Sequence, residues 1–223
     1  EDIPIAFIKE QFDYKDLNKK QLKGDSTILS NIWDIFNKNG EEIVNDFERI
    51  TKGRKSQELD KLSIKVGGYP LFIEEGAKVE SAFLNCKKGP IYIGKDTEIM
   101  EGSMVRGPFA MCNDSVLKMG SKIYSNTTLG PFCKVGGEVN NVVFMGYSNK
   151  GHDGFLGNSV IGEWCNLGAD SNNSNLKNNY SEVKLWNYRI ERFVNTGLQF
   201  CGLIMGDHSK CGINSMFNTG TVV

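Results

Sequence analysis

Between Ile93 and Val135 every sixth residue is aliphatic: Ile93, Ile99, Val105, Met111, Leu117, Ile123, Leu129 and Val135. Four residues after most of them stands a small one, Thr97, Ser103, Ser115, Ser121, Thr127 or Cys133; Phe109 and Val139 are bulky exceptions. A helix repeats its apolar positions every 3.6 residues and a strand every two, so neither sustains a period of six. A solenoid does. Each hexapeptide makes one short flat side, and three sides close a triangular coil of about 18 residues. The aliphatic residue points inward, the small residue fits the corner, and each coil covers its neighbour's apolar face.

The same pattern predicts where the repeat begins and where it is interrupted. Ile73 and Val79 open the solenoid, and phase slips before Ile93, where Lys87-Lys88-Gly89-Pro90 predicts a protruding corner. A second slip is expected around 149–154, after which Phe155, Ile161 and Leu167 resume. An insertion is expected over 170–202. Met205, Cys211, Phe217 and Val223 then return to register, with Ser209, Ser215 and Thr221 in the small position. Loops that interrupt a repeat are where function concentrates.

Upstream of the repeat, Ile32, Ile35, Phe36, Ile43, Phe47 and Ile50 predict helix over 30–52, broken at Asn39-Gly40. Glu41 and Glu42 open its second segment, and Lys52 and Arg54 close it, in accord with the helix dipole. Residues 26–70 are therefore expected to form a helical connector that caps the solenoid, with 71–223 as the solenoid itself. Residues 1–25, with Ile3, Ile5, Phe7 and Ile8 as a short strand and a basic stretch from Lys15 to Lys23, suggest the tail of an upstream domain. The missing initiator Met, and an end at Val223 inside a repeat, are what a piece of a longer polypeptide would show.

Composition narrows the functional classes. Of 223 residues 39% are hydrophobic and 24% charged, and the formal net charge is −1, so neither a nucleic-acid nor an anionic membrane partner is expected. There is no 18-residue apolar run and no signal-peptide pattern at the start. The 25 glycines against 5 prolines suit many tight corners. Six cysteines form no CxxC pair; Cys133 and Cys165 fall where the repeat wants small buried residues, which favours reduced thiols and a cytoplasmic protein.

The chemistry-bearing stretch is Gly151-His152-Asp153-Gly154-Phe155-Leu156-Gly157, followed by Val160-Ile161-Gly162 and Asn166-Leu167-Gly168-Ala169. It resembles the Gly-His-x-x-Tyr-Leu-Gly … Ile-Gly … Asn-x-Gly-Ala run of sugar-1-phosphate acetyltransferases, the C-terminal halves of bifunctional enzymes that form UDP-N-acetylglucosamine. Asn175-Leu176-Lys177, Glu182-Val183-Lys184 and the run Gly206 to Asn214 are similar to the blocks that follow in the archaeal type. Asn31-Ile32-Trp33-Asp34 resembles the linker of a Bacteroidetes-type variant. The resemblance covers about 30–223. It implies an all-β fold, a single-stranded left-handed parallel β-helix of hexapeptide repeats with a short N-terminal helical segment.

It also implies a reaction: acetyl transfer from acetyl-CoA, as cosubstrate, to an amino sugar phosphate such as glucosamine-1-phosphate. His152 would be the general base, because an amine must lose its proton to attack a thioester and imidazole titrates near neutrality. Asn175 would polarise the reacting groups or hold the thioester carbonyl. Glu138, Asn140, Asn166 and Lys184 would contact the acceptor, and Ala169 and Lys177 the cofactor. A loop histidine without catalytic duty, a solvated Lys184 and an internal ladder for Asn166 are the alternatives. Two residues depart from the family: Phe155 replaces a tyrosine and Asn140 a lysine, both of which weaken phosphate binding; Arg106 and Lys122 are possible substitutes. The resemblance further implies a homotrimer, and Mg2+ only for an upstream nucleotidyltransferase half.

Two rivals remain. A γ-type carbonic anhydrase shares the solenoid but needs three histidines, and this chain has two, His152 and His208. The other is a non-catalytic trimerisation scaffold for an upstream sugar nucleotidyltransferase domain.

Overall fold

The computed structural model describes residues 27–223. The expectations for 1–25 lie outside the described residues. The chain winds into a parallel β-solenoid of about six turns, with a single helix among the described residues.

Each coil has three sides. The first is built from Ile64–Val66, Phe83–Asn85, Met104–Arg106 and Lys122–Ile123, then the opening halves of Glu138–Gly146 and Phe155–Glu163. The second stacks Leu71–Ile73, Ile91–Ile93, Phe109–Met111 and Thr127–Leu129 under the far halves of those two long strands, and ends with Ile204–Met205. The third runs from Lys78–Val79 through Glu98–Ile99, Val116–Leu117, Lys134–Val135, Asn149–Lys150 and Asn166–Leu167 to Lys210–Cys211. The long strands turn between the first and second sides at Asn141 and Asn158, whose φ values are +56 and +49. Asparagine tolerates this left-handed geometry better than most residues.

From Ile73 to Leu167 the aliphatic residues of the six-residue repeat are buried; in the last coil Met205 is buried, Cys211 and Phe217 are half-buried and Val223 is exposed. The small positions have a physical reason as well. Ser115 Oγ donates to the carbonyl of Gly130 at 2.7 Å and accepts from the amide of Cys133 at 3.2 Å. Two coils later Ser148 Oγ donates to the carbonyl of Gly162 at 2.7 Å and accepts from the amide of Cys165 at 2.9 Å. A short hydroxyl thus satisfies corner backbone that would otherwise be buried without partners. Cys133 and Cys165 are free, buried thiols in the same column, and burial pushes Cys133 up to about 11.

The limits and register of the solenoid differ from expectation at four points. The solenoid starts one side earlier, at Ile64–Val66, which pairs with Phe83–Asn85. The second slip falls at Gly136-Gly137, not at 149–154: two glycines make a short corner, so Val139 is already an inward residue of the next side. Leu156 rather than Phe155 consequently points inward. The insertion begins near 175 rather than 170, because Asn172–Asn173 still pairs with Met216–Phe217 in the coil. It carries an antiparallel hairpin, Lys184–Asn187 with Arg192–Asn195.

The helix α1, Asp34–Thr51, is unbroken through Asn39-Gly40, and it lies along the second side instead of capping an end. Phe36, Ile43 and Phe47 are buried; Phe36 shares a cluster with Val143, Val160 and Ile204. Gly40 is there because the helix presses on the corner below: a Cβ at 40 would overlap the Asn126 side chain. Asn39 clamps the same contact, donating to the Asn126 carbonyl at 2.7 Å and accepting from Thr128 Oγ1 at 2.8 Å. Packing therefore outweighs the roughly 1 kcal/mol that glycine costs in a helix. No described helix is long and apolar enough to cross a membrane.

Candidate functional site

His152 stands on the corner 151–154 that joins the third side to the first. That corner rests on the glycine corner of the preceding coil. A Cβ at Gly137, whose φ is +76, would come 2.7 Å from the Gly154 carbonyl, and one at Gly136 would come 2.8 Å from that of Gly151. From the following coil, the amide of Asp170 donates to the carbonyl of Asp153 at 3.1 Å. The His152 side chain is exposed.

Glu138 and Asn140 flank buried Val139 on the first side and face outward. Register sets Lys122 beside Glu138 on the preceding coil, and Phe155 beside it on the next. Neighbouring strands lie about 4.8 Å apart, so this carboxylate sits between an ammonium-bearing strand and an aromatic one. Gly157 is the neighbour of Asn140. Arg106 occupies the Asn140 column two coils earlier.

Beyond Phe155 asparagine side chains replace the main-chain ladder. The amide of Phe155 donates to Asn172 Oδ1 at 2.7 Å, and that of Gly157 to Asn173 Oδ1 at 2.8 Å. Asn173, buried in the interior, returns a bond from Nδ2 to the Gly157 carbonyl at 3.0 Å. At the far corner Asn175 Nδ2 donates to Asn158 Oδ1 at 2.8 Å. Asn158 Nδ2 in turn donates to Asn141 Oδ1 at 3.0 Å, and Asn141 Nδ2 to the Phe36 carbonyl of α1 at 2.8 Å. The ladder uses one N–H of Asn175; its second N–H and its oxygen retain bonding capacity.

Three consecutive coils thus bring His152, Glu138, Asn140 and Asn175 to one side of the solenoid and its two bordering corners. Ala169 lies at the His152 corner one coil on, its carbonyl taking the Asn214 amide at 2.8 Å. Asn166 does not join them. It faces out from the third side, accepting from Asn149 Nδ2 at 3.4 Å in an external ladder. Lys177 and Lys184 ride on the insertion: Lys177 Nζ is held by the Glu182 carbonyl at 2.7 Å, while Lys184 is exposed on the hairpin opposite Asn195. Among the described residues no three His, Cys, Asp or Glu side chains converge as a metal centre.

The sequence reading missed Asn158, Asn172 and Asn173 as partners of the site. One signal was present: Asn141, Asn158 and Asn175 are spaced by 17 residues, one coil. Lys122 is placed only by the strand register.

Comparison with known proteins gives three matches. A family model described as sugar nucleotidyl transferase matches residues 2–55. A bifunctional sugar-1-phosphate nucleotidylyltransferase/acetyltransferase of Sulfurisphaera tokodaii is 33% identical over 129 residues, 57% of this chain and 32% of that protein. The bifunctional protein GlmU of Methanocaldococcus jannaschii is 29% identical over 117 residues, 52% of this chain and 26% of that protein. The chain therefore spans about a third or less of the curated relatives it matches. Over a little more than half of its length the chain is thus similar to bifunctional nucleotidyltransferase/acetyltransferases, and its β-solenoid is the kind of fold that hexapeptide repeats build.

Proposed function

We propose that this chain transfers the acetyl group of acetyl-CoA to the amine of an amino sugar phosphate, with glucosamine-1-phosphate as the first acceptor to try. The observation that carries the reading is the one side that bears Glu138, bordered over three coils by His152 at one corner and Asn175 at the other. As the neutral amine nitrogen attacks the thioester carbonyl, the His152 imidazole takes its proton. A carbon–nitrogen bond forms, and negative charge collects on the carbonyl oxygen. The spare N–H of Asn175 is suited to that oxyanion. The carbon–sulfur bond then breaks, and the imidazolium returns its proton to the departing thiolate.

Glu138 accepts hydrogen bonds from sugar hydroxyls, and Asn140 donates to them. With Phe155 and Asn140 in place of a phenol and an ammonium, Lys122 and Arg106, both borne on this side, are the cations for the phosphate, with Lys184 on the insertion as a third. Ala169 would meet the cofactor through its backbone, with Lys177 beside it. Asn166, on the next side round, would reach the acceptor only across the corner.

The first side leaves Ile64, Phe83, Met104 and Tyr124 exposed, which suits a homotrimer in which an adjacent solenoid packs on this face; a cyclic ring leaves no interface unfilled. The match at 2–55 suits an upstream nucleotidyltransferase half, where Mg2+ would act. Buried thiols suit a reducing cytoplasm. The test is thiol release from acetyl-CoA with a panel of amino sugar phosphates. Turnover with at least one supports the reading; silence across the panel overturns it and favours the trimerisation scaffold.

A further inference from the structure

Lys150 stands where the repeat places aliphatic residues. Register pairs it with Val135 in the column that continues through Leu167, and it is 1% exposed. A bare ammonium inside an apolar tube is strongly unfavourable. Here Nζ donates to the Gly136 carbonyl at 3.3 Å and to the His152 carbonyl at 2.9 Å. Gly136 belongs to the corner just before Glu138, and His152 to the corner stacked on it.

Other corners of this column use serine for the same task. Ser121 Oγ donates to the carbonyl of Lys118 at 2.5 Å, Ser171 Oγ to Gly168 at 2.7 Å, and Ser215 Oγ to Gly212 at 2.8 Å. In the two coils between Ser121 and Ser171 the serine position is taken by Gly137 and Gly154, which bring no hydroxyl. Lys150 supplies the donor that they lack. Burial opposes its charge, while Asp153 and Asp170 at the same corners favour it, and its pKa falls to about 8. Protonated or neutral, the amine has enough N–H groups for both carbonyls.

We propose that Lys150 is a positioning residue, tying the His152 corner to the Gly136 corner from inside the solenoid and so fixing the imidazole relative to Glu138. The proposal rests on the reading of His152 as the base. Lys150→Met in the full chain tests it, since methionine fills an apolar slot without a donor. The expected result has three parts. The melting temperature is unchanged or higher. Amide exchange over 151–155 is at least tenfold faster, with the first four coils unaffected. The kcat for acetyl transfer falls tenfold or more, with the acceptor KM within twofold. Unchanged exchange at 151–155, or faster exchange throughout the solenoid with a lower melting temperature, overturns the proposal. If the wild-type chain transfers no acetyl group, the acetyltransferase reading fails on its own, and the exchange comparison still decides whether Lys150 ties the corners.

Discussion

The side-chain amide of Asn175 donates to Asn158 Oδ1 at 2.8 Å, making it the last rung of an asparagine ladder that begins beneath α1. The candidate oxyanion donor is thereby oriented by a residue one coil away. Asn158→Gly keeps the left-handed backbone and removes both arms of the rung. It is expected to lower stability by about 1–3 kcal/mol in urea titration, and to lower kcat without a matching change in KM. Stability equal to wild type would contradict the ladder.

The glycine corner under His152 is testable against an internal control. Gly137 and Gly120 have similar positive φ, +76 and +67, but only Gly137 faces another corner; nothing lies within 4 Å of a Cβ at Gly120. Gly120→Ala should cost about 1–2 kcal/mol from backbone strain alone. Gly137→Ala should cost more, because the 151–154 corner must also move. Equal losses, measured by denaturant unfolding, would show that the two corners are not in close contact.

Lys150 makes stability depend on pH in a defined direction. Its folded-state pKa of about 8 lies below the ordinary 10.5, with burial as the main cause. Below about pH 8 the group is charged in both states and the full penalty of burying it is present. Between about pH 8 and 10.5 the unfolded chain binds more protons than the folded one, so stability from this group rises with pH. The stability of Lys150→Met relative to wild type should therefore be greatest near pH 7 and fall by up to about 3 kcal/mol towards pH 10.5. Taking the difference between variant and wild type cancels the other titrating groups. A margin independent of pH would contradict the buried ammonium.

At the corner between the second and third sides, Phe132, Tyr147 and Trp164 stack in sequence, with ring centroids 5.2 and 4.7 Å apart and planes within 8°. All three backbones have positive φ, between +52 and +59. These residues give up the usual asparagine or glycine at such a turn, and ring stacking offsets the strain. A double-mutant cycle on Tyr147 and Trp164 should return a coupling of about 0.5–1.5 kcal/mol. A coupling near zero would mean that the stack does not compensate the turn.

The six-residue period made the core legible, because inward residues of a solenoid must be apolar at every coil. Legibility ended where a residue broke that rule for a local reason. Lys150 is buried yet charged, so the pattern placed the slip beside it instead of at Gly136-Gly137. Phe155 stands six residues before Ile161 and so reads as inward, whereas strand pairing sets Leu156 opposite buried Val139 and gives it that place. Gly40 suggested a broken helix, and only the proximity of Asn126 explains it. The His-bearing motif marks a stretch of the chain, 151–169. Motif order says nothing about which side of a coil a residue faces, which is why Asn166 separates from Glu138 and Asn140. The aromatic stack was invisible because its members come from different coils.

The most direct measurement is the rate of thiol release from acetyl-CoA with glucosamine-1-phosphate, for the wild-type chain and for His152→Ala. A general base contributes about 10²–10⁴-fold, so the account predicts a fall in kcat of at least a hundredfold, with the fold retained by circular dichroism. Wild-type turnover that survives the substitution would contradict the assignment of His152 as the base.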